Sequence, residues 1–331
     1  MSGSVVDVVA RRDRRALATP LGFGAMTITE RSYCLVEVHL DDGRVGYSQS
    51  IDRGIDVSAI VREILAPAYI RSGPATTAEA WGAALRSASP AVSSGAGLRA
   101  LSLVDIALSD ARHEPTPTSV PPPVWVIVGY PPTADAATVA RETRVARDLG
   151  AAGVKLPVGP DPDLTRQRLL AAVAEMGAER VAIDLAWSAE SPDAAARVVD
   201  GIGVAWLEDP FPPGRVRDLR RLRSLRDVPL AVGDEDAQLY HPEVLVEAGA
   251  VDIVRLDATS QGGVTRMREV ATELVGGGIP VSWHMSASLH SRLASALPFE
   301  TLSVEISAPG AGVDPLDEQR PLADYLAQLR A

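Results

Sequence analysis

From about residue 120 the chain repeats one pattern, a short apolar run followed by a longer amphipathic stretch. The runs are VWVIV (124–128), AGVKL (152–156), RVAID (180–184), VAWLE (204–208), PLAVG (229–233), DIVRL (252–256), PVSWH (280–284) and TLSVE (301–305). Between them lie stretches such as TVARETRVARDLG and VTRMREVATELVGGG, with apolar residues at helical spacing and, in the second, a glycine stop. Strands that are apolar throughout and joined by helices belong in a parallel sheet buried on both faces. Eight is the number that closes a TIM-type barrel, so an α/β barrel is preferred to an open doubly wound sheet.

The first hundred residues read differently. RSYCLVEVHL (31–40) alternates, DDG (41–43) supplies a turn and RVGYSQS returns, which predicts a hairpin. Helical patterns follow in VSAIVREILAPAYI (57–70), TAEAWGAALRSA (77–88) and LRALSLVDIALSDA (98–111). Strands followed by helices predict a separate α+β unit. Pro-rich PTPTSVPPP (115–123) reads as the linker into the barrel.

Composition narrows the function. A length of 331 residues with 46% hydrophobic and 23% charged residues is ordinary for a soluble enzyme. A net charge of −11 argues against nucleic acid or an anionic membrane as partner, but not against a small acidic substrate. The single cysteine, Cys34, excludes an internal disulfide framework and reads as a small core residue of its strand. The N-terminus has no apolar signal-type segment and no run nears the ~18 apolar residues of a membrane span, so a cytoplasmic location is expected.

In such a barrel, active residues project from the C-terminal ends of the strands. Those ends carry, in order, Lys155, Asp184, Glu208, Asp234, Asp257, His284 and Glu305. Each is about one βα unit from the next, so they converge on one rim. Asp184, Glu208 and Asp234 stand on neighbouring strands, and packed together they would raise each other's pKa unless a cation neutralised them. Three oxygen donors suit octahedral Mg²⁺ better than zinc, for which no Cys/His set has the spacing. Asp257 precedes His284 by one strand, and a carboxylate on one ring nitrogen fixes the tautomer and raises the basicity of the other. Helix caps, arginine pairs or a satisfied core histidine would explain any of these residues alone; their shared register favours a site. His39, His113, His241 and His290 have no such partner by position and read as structural or surface groups.

These residues resemble the enolase superfamily and, within it, the mandelate racemase group. The resemblance runs from about residue 15 to 325. It is carried by VAID (181–184), WLEDP (206–210), VGDED (232–236), DATSQGG (257–263), SWH (282–284) and VE (304–305) in this order and spacing. It implies a modified TIM barrel of the (β/α)7β kind over residues 116–311. It also implies a capping α+β domain over residues 1–115 with a C-terminal return at 312–331. By the same resemblance Asp184, Glu208 and Asp234 match Mg²⁺ ligands, and Asp257 and His284 match a His–Asp dyad. Glu305 matches a protonated hydrogen-bond donor to the developing enolate, and Lys155 a partner of the substrate carboxylate. GAMTITE (24–30), with Thr27 and Thr29, resembles a mobile loop that closes over substrate. Tyr130 and Glu235 are further candidates for the pocket, and a homo-oligomer is expected.

Two departures set the expected reaction. Where the family commonly has a second lysine, Lys155-Leu156-Pro157 places Pro157, and Ala186 stands where an Asn or a catalytic His is frequent. Racemisation needs a proton carrier on each face of the α-carbon, whereas β-elimination needs one. The expectation is therefore a dehydratase of a hydroxy acid or acid sugar acting on a small-molecule carboxylate. Alternatives are a racemase or epimerase using another residue, such as Tyr130, and a metal-binding relative without turnover.

Overall fold

A computed structural model describes residues 3–114 and 122–307 of the chain. Three antiparallel strands come first, β1 (Val5–Phe23), β2 (Met26–Leu40) and β3 (Val45–Ile51), paired in that order. β2 and β3 form the expected hairpin. β1 is an element that the apolar pattern did not announce, because Val5, Val8 and Ala10 face the core while charged residues such as Arg11 and Arg14 face solvent. Cys34 is buried in this sheet, and burial pushes its thiol up to about 12.

The helices that cover the sheet are α1 (Val57–Ile60), which continues through a π-helical segment into α2 (Ala66–Arg71), then α3 (Thr77–Val92) and α4 (Gly95–Ala111). Thr76 and Glu79 close a reciprocal capping box at the start of α3. α4 is buried almost all round, since it lies between the sheet and the barrel.

The barrel then runs β4 (Val124–Ile127), α5 (Ala136–Asp148), β5 (Gly153–Pro157), α6 (Pro162–Met176), β6 (Val181–Asp184), α7 (Pro192–Val199), β7 (Trp206–Glu208) and α8 (Val216–Ser224). It continues with β8 (Leu230–Val232), α9 (His241–Glu247), β9 (Ile253–Leu256), α10 (Gly263–Gly276), β10 (Val281–Trp283), α11 (Ala287–Ser295) and β11 (Ser303–Ser307). The eight strands pair in parallel and close, with β11 beside β4. All eight apolar runs became strands, shifted at most two residues. Asp135, Asp161 and Ser191 cap α5, α6 and α7 with their side chains. Most of the linker at 115–123 and the return at 312–331 lie outside the described residues.

Two packing layers hold the barrel. One lies between strands and helices, with Val154, Leu156, Leu207 and Trp283 among its fully buried members. The other plugs the interior with Trp125, Ala182, Trp206, Ala231 and Ile253, the two indoles having ring centroids 4.2 Å apart. A Cβ on Gly153 would come within 2.5 Å of the Trp125 ring, so this strand position must be glycine for the plug to fit.

Contacts at the hairpin tip and behind the sheet help to dock the first unit on the barrel. At the tip of the β1–β2 hairpin, Gly22 N donates to Tyr130 O (2.7 Å) and Gly24 N to Val158 O (3.0 Å). The register shifts between Ala16 and Leu21, where Pro20 has no amide to give the ladder, and the tip departs from the plain ladder there. Behind the sheet, Asp105 of α4 accepts from Thr265 N (2.8 Å) and Thr265 Oγ1 (2.7 Å), while Gly262 N donates to Ser102 Oγ (2.7 Å). Gly262 opens α10 without a capping side chain, so the neighbouring unit caps it. Replacing Asp105 with Ala should lower stability by about 2 kcal/mol or more, since a lost cap costs up to ~2 kcal/mol and burial adds to it. Urea unfolding checks this; an unchanged midpoint would show that the cap contributes nothing.

Candidate active site

The C-terminal ends of the barrel strands open into a cavity of about 740 Å³, roofed by the β1–β2 tip and the turn after β3. Its size suits a small organic ligand. Lys155, Asp184, Asp209, Asp234, Glu235 and His284 all border it. One oxygen each of Asp184, Glu208 and Asp234 lies within 4.8 Å of the others, so the three strand ends converge as their register requires. Glu208 and Asp234 are buried, and Asp184 is partly so.

Burial governs the charge here. It pushes Asp184 up, and Glu208 up to about 8, even though Lys155 and Arg255 oppose it. It likewise raises Asp209 well above the carboxylate range, reinforced by its neighbours Asp234 and Glu208. Burial would raise Asp234 too, but His284, Arg255 and Lys155 hold it below its ordinary range. The triad is thus a crowded set of hard oxygen donors, short of positive charge. That donor chemistry fits a small divalent cation.

Lys155 is buried among carboxylates, with Nζ on Glu208 Oε1, 2.9 Å from Glu305 Oε2 and 3.8 Å from Asp184 Oδ2. Burial would strip its proton, but Glu208 and Glu305 keep it charged. Trp206 Nε1 donates to the other oxygen of Glu208 (2.7 Å), tying the interior plug to the rim.

His284 lies beside Asp257, as the order of strands implies: Nδ1 is 3.2 Å from Asp257 Oδ2 and Nε2 is 3.4 Å from Asp234 Oδ2. Burial opposes its charge, yet Asp234 and the bond to Asp257 raise it to about 9. The second oxygen of Asp257 accepts from Thr259 N (2.7 Å) and Oγ1 (2.8 Å), which fixes the carboxylate. Asp234 is therefore common to the triad and to the imidazole. Whatever neutralises Asp234 also withdraws charge that keeps the proton on His284.

Several expectations need correction. Glu305 lies between two cations: burial raises its carboxyl, but Arg255 and Lys155 outweigh burial and lower it below its ordinary range. Arg255 Nη2 lies 2.6 Å from Glu305 Oε1, and its Nε lies 3.4 Å from both Glu208 Oε2 and Asp234 Oδ1. GAMTITE forms the hairpin tip and the start of β2. Met26, Ile28 and Glu30 border the cavity, whereas Thr27 and Thr29 do not. Tyr130 does border it, and burial pushes its phenol up. Glu235 borders it as well, but Arg53 and Arg99 (2.7 Å) grip its carboxylate; burial would raise it, and these cations pull it down to about 2.

His290 has a partner after all. It is fully buried, 3.6 Å from Asp257 Oδ1 and stacked on Trp283. Its Nε2 accepts from Ala258 N (3.0 Å), so its Nδ1 carries the proton and donates to Met285 O (2.7 Å). This bond holds the turn after His284, where Met285 (φ 51) and Ser286 (φ 42) are both left-handed.

Arg255 and Asp209 escaped the reading of strand ends. A signal for Arg255 was present: it is a charge inside the apolar run IVRL (253–256), and it shares parity with Asp257 two places on.

Residues 137–323 match the family described as enolase C-terminal domain-like, and residues 5–120 match the mandelate racemase / muconate lactonizing enzyme N-terminal domain. The chain belongs to the enolase superfamily, in the mandelate racemase group. Among curated members, it is 26% identical over 302 residues to the D-galactarolactone cycloisomerase of Agrobacterium fabrum, covering 86% of this chain and 78% of that one. It is 27% identical over 299 residues to the D-xylonate dehydratase of Haloferax volcanii, covering 80% and 71%. A racemase from Streptomyces coelicolor A3(2), solved with bound magnesium, has the same fold at a TM-score of 0.81 and 21% identity, covering 91% of this chain and 89% of that one. Among the described residues, no helix of this superfamily member is long and apolar enough to cross a membrane.

The geometry of His290 makes a prediction. His290→Ala leaves the Ala258 amide and the Met285 carbonyl without partners, at ~1–3 kcal/mol for each buried group. Burial lowers the pKa of His290, so the unfolded chain binds a proton more readily than the folded one. The stability it contributes is complete above its unfolded pKa, about 6.5, and is lost as pH falls below that value toward the depressed folded one. Denaturant unfolding should thus show a gap between wild type and variant that narrows between pH 7 and pH 5. A gap that widens there would refute the neutral tautomer.

Proposed function

We propose that the protein is a Mg²⁺-dependent dehydratase of a hydroxylated carboxylic acid, of the acid-sugar class. The observation that carries this reading is the single dyad, His284 on Asp257, beside Asp184, Glu208 and Asp234 at the floor of one cavity. Relatives named as a sugar-acid dehydratase and a sugar-lactone cycloisomerase support it. When bound by the three carboxylates, Mg²⁺ supplies a Lewis acid that offsets negative charge building on the substrate carboxylate.

The chain's own residues do the rest. Asp257 orients the imidazole, so that His284 Nε2 faces the space where the α-carbon is held. The imidazole takes the α-proton, and the electron pair left behind forms the Cα=Cβ bond as the β-hydroxyl departs. The imidazolium gives its proton to that hydroxyl, which leaves as water, and the enol relaxes to a 2-keto acid. One base completes the sequence. Lys155 and Arg255 balance the floor, and Glu305 is positioned between them rather than acting as a free acid.

Elimination is favoured over racemisation by what lies on the β5 side. Pro157 closes that strand in register with Asp184 and has no proton to give. Tyr130, the phenol bordering the cavity, has a pKa raised by burial, which makes it a poor base at neutral pH.

His284→Asn should lower kcat on any accepted acid sugar by ~10²–10⁴-fold, the usual size of a lost acid/base group. Chelation should abolish 2-keto acid formation, and added Mg²⁺ should restore it. Near-normal turnover by the variant would remove His284 from the mechanism. Exchange of the α-proton of both stereoisomers with D₂O, without loss of water, would replace the dehydratase by a racemase.

A further inference from the structure

Among the described residues, the cavity roof carries more positive charge than its carboxylates answer. Arg12 Nε lies 2.5 Å from Asp52, Arg14 lies 4.0 Å from Glu30, and Arg53 and Arg99 share Glu235. The Arg31 side chain has no ion-pair partner among the described residues, and its Nε is buried and unsatisfied. Yet Arg31 is only 5% exposed and borders the cavity. It stands on β2 opposite Arg15, and burial, with Arg53 adding repulsion, disfavours its charged form.

A nearly buried cation without a partner is costly, and a chain gains nothing by keeping one unless something else supplies the counter-ion. The apolar surroundings sharpen this. Phe23, Met26, Ile28 and Ile51 line the same roof, so water alone is a poor substitute for an anion there.

We infer that Arg31 receives a second carboxylate of the substrate, so that the natural substrate is a hydroxylated dicarboxylate rather than a monocarboxylate. This rests on the proposed reading that the first carboxylate is held at the floor, near Lys155 and the triad. No carboxylate of the triad lies within ion-pair distance of Arg31, so the two ends of the ligand are recognised separately. A planar guanidinium matches a carboxylate with two parallel hydrogen bonds. One unpaired guanidinium balances one negative charge, which favours a carboxylate over a phosphate ester at this end.

The test separates binding from turnover. In the His284→Asn background with Mg²⁺, calorimetry compares hexarates with the hexonates of matching stereochemistry. The hexarate of the accepted configuration should bind at least tenfold more tightly than its hexonate, and Arg31→Met should bring that ratio to about one. Arg31→Lys, which keeps the charge but not the fork, should retain part of the ratio and guards against a folding defect, with circular dichroism checking both variants. Equal affinity for hexarate and hexonate, or tighter binding of a 6-phosphohexonate, would overturn the inference. So would a hexarate preference that survives Arg31→Met. Wild-type protein that prefers hexarates through Arg31 but forms no 2-keto acid would sink the dehydratase reading and leave the second carboxylate site standing.

Discussion

Negative charge crowded into a dry space is the constraint on which this molecule depends. Asp184, Glu208, Asp209, Asp234 and Glu305 meet at the top of a barrel whose interior below is plugged by two indoles. Their repulsion is contained by Lys155, Arg255 and His284, each within 4 Å of at least two of them. Removing any one cation leaves carboxylates unanswered in low dielectric, a far greater loss than a surface ion pair would incur. The same imbalance prepares the site for a divalent cation.

The charge economy extends beyond the barrel. Glu235, adjacent to Asp234, is neutralised from the other unit by Arg53 and Arg99. It therefore links the position of the roof to the floor, because moving either arginine exposes a carboxylate 4.0 Å from His284. Substrate-sized space is defined between two units that each supply what the other lacks.

How much of this was legible in the sequence follows from periodicity. Apolar runs reported the barrel strands because parallel strands are buried on both faces, and polar residues at their ends stood out against that background. Hence the triad and the His284–Asp257 pair could be read from spacing alone. β1 was not read, since its short apolar start, VVDVVA, passes at once into a row of arginines on a strand with one wet face. Thr27 and Thr29 were misread for a related reason: one residue of register decides which face a strand presents, and only pairing with β1 fixes it. Arg31 is silent in sequence because an arginine in a strand usually faces water, and its burial is a tertiary fact.

The cap on α10 carries a lesson about modularity. A barrel helix whose first amides are satisfied by Ser102 and Asp105 is not finished by its own segment of chain. The start of α10 thus draws its partners from the other unit, and an exchanged first unit would need this polar junction as well as the substrate-facing roof. The hairpin tip and the seam behind the sheet therefore carry different burdens: one shapes the cavity, while the other completes a helix of the barrel.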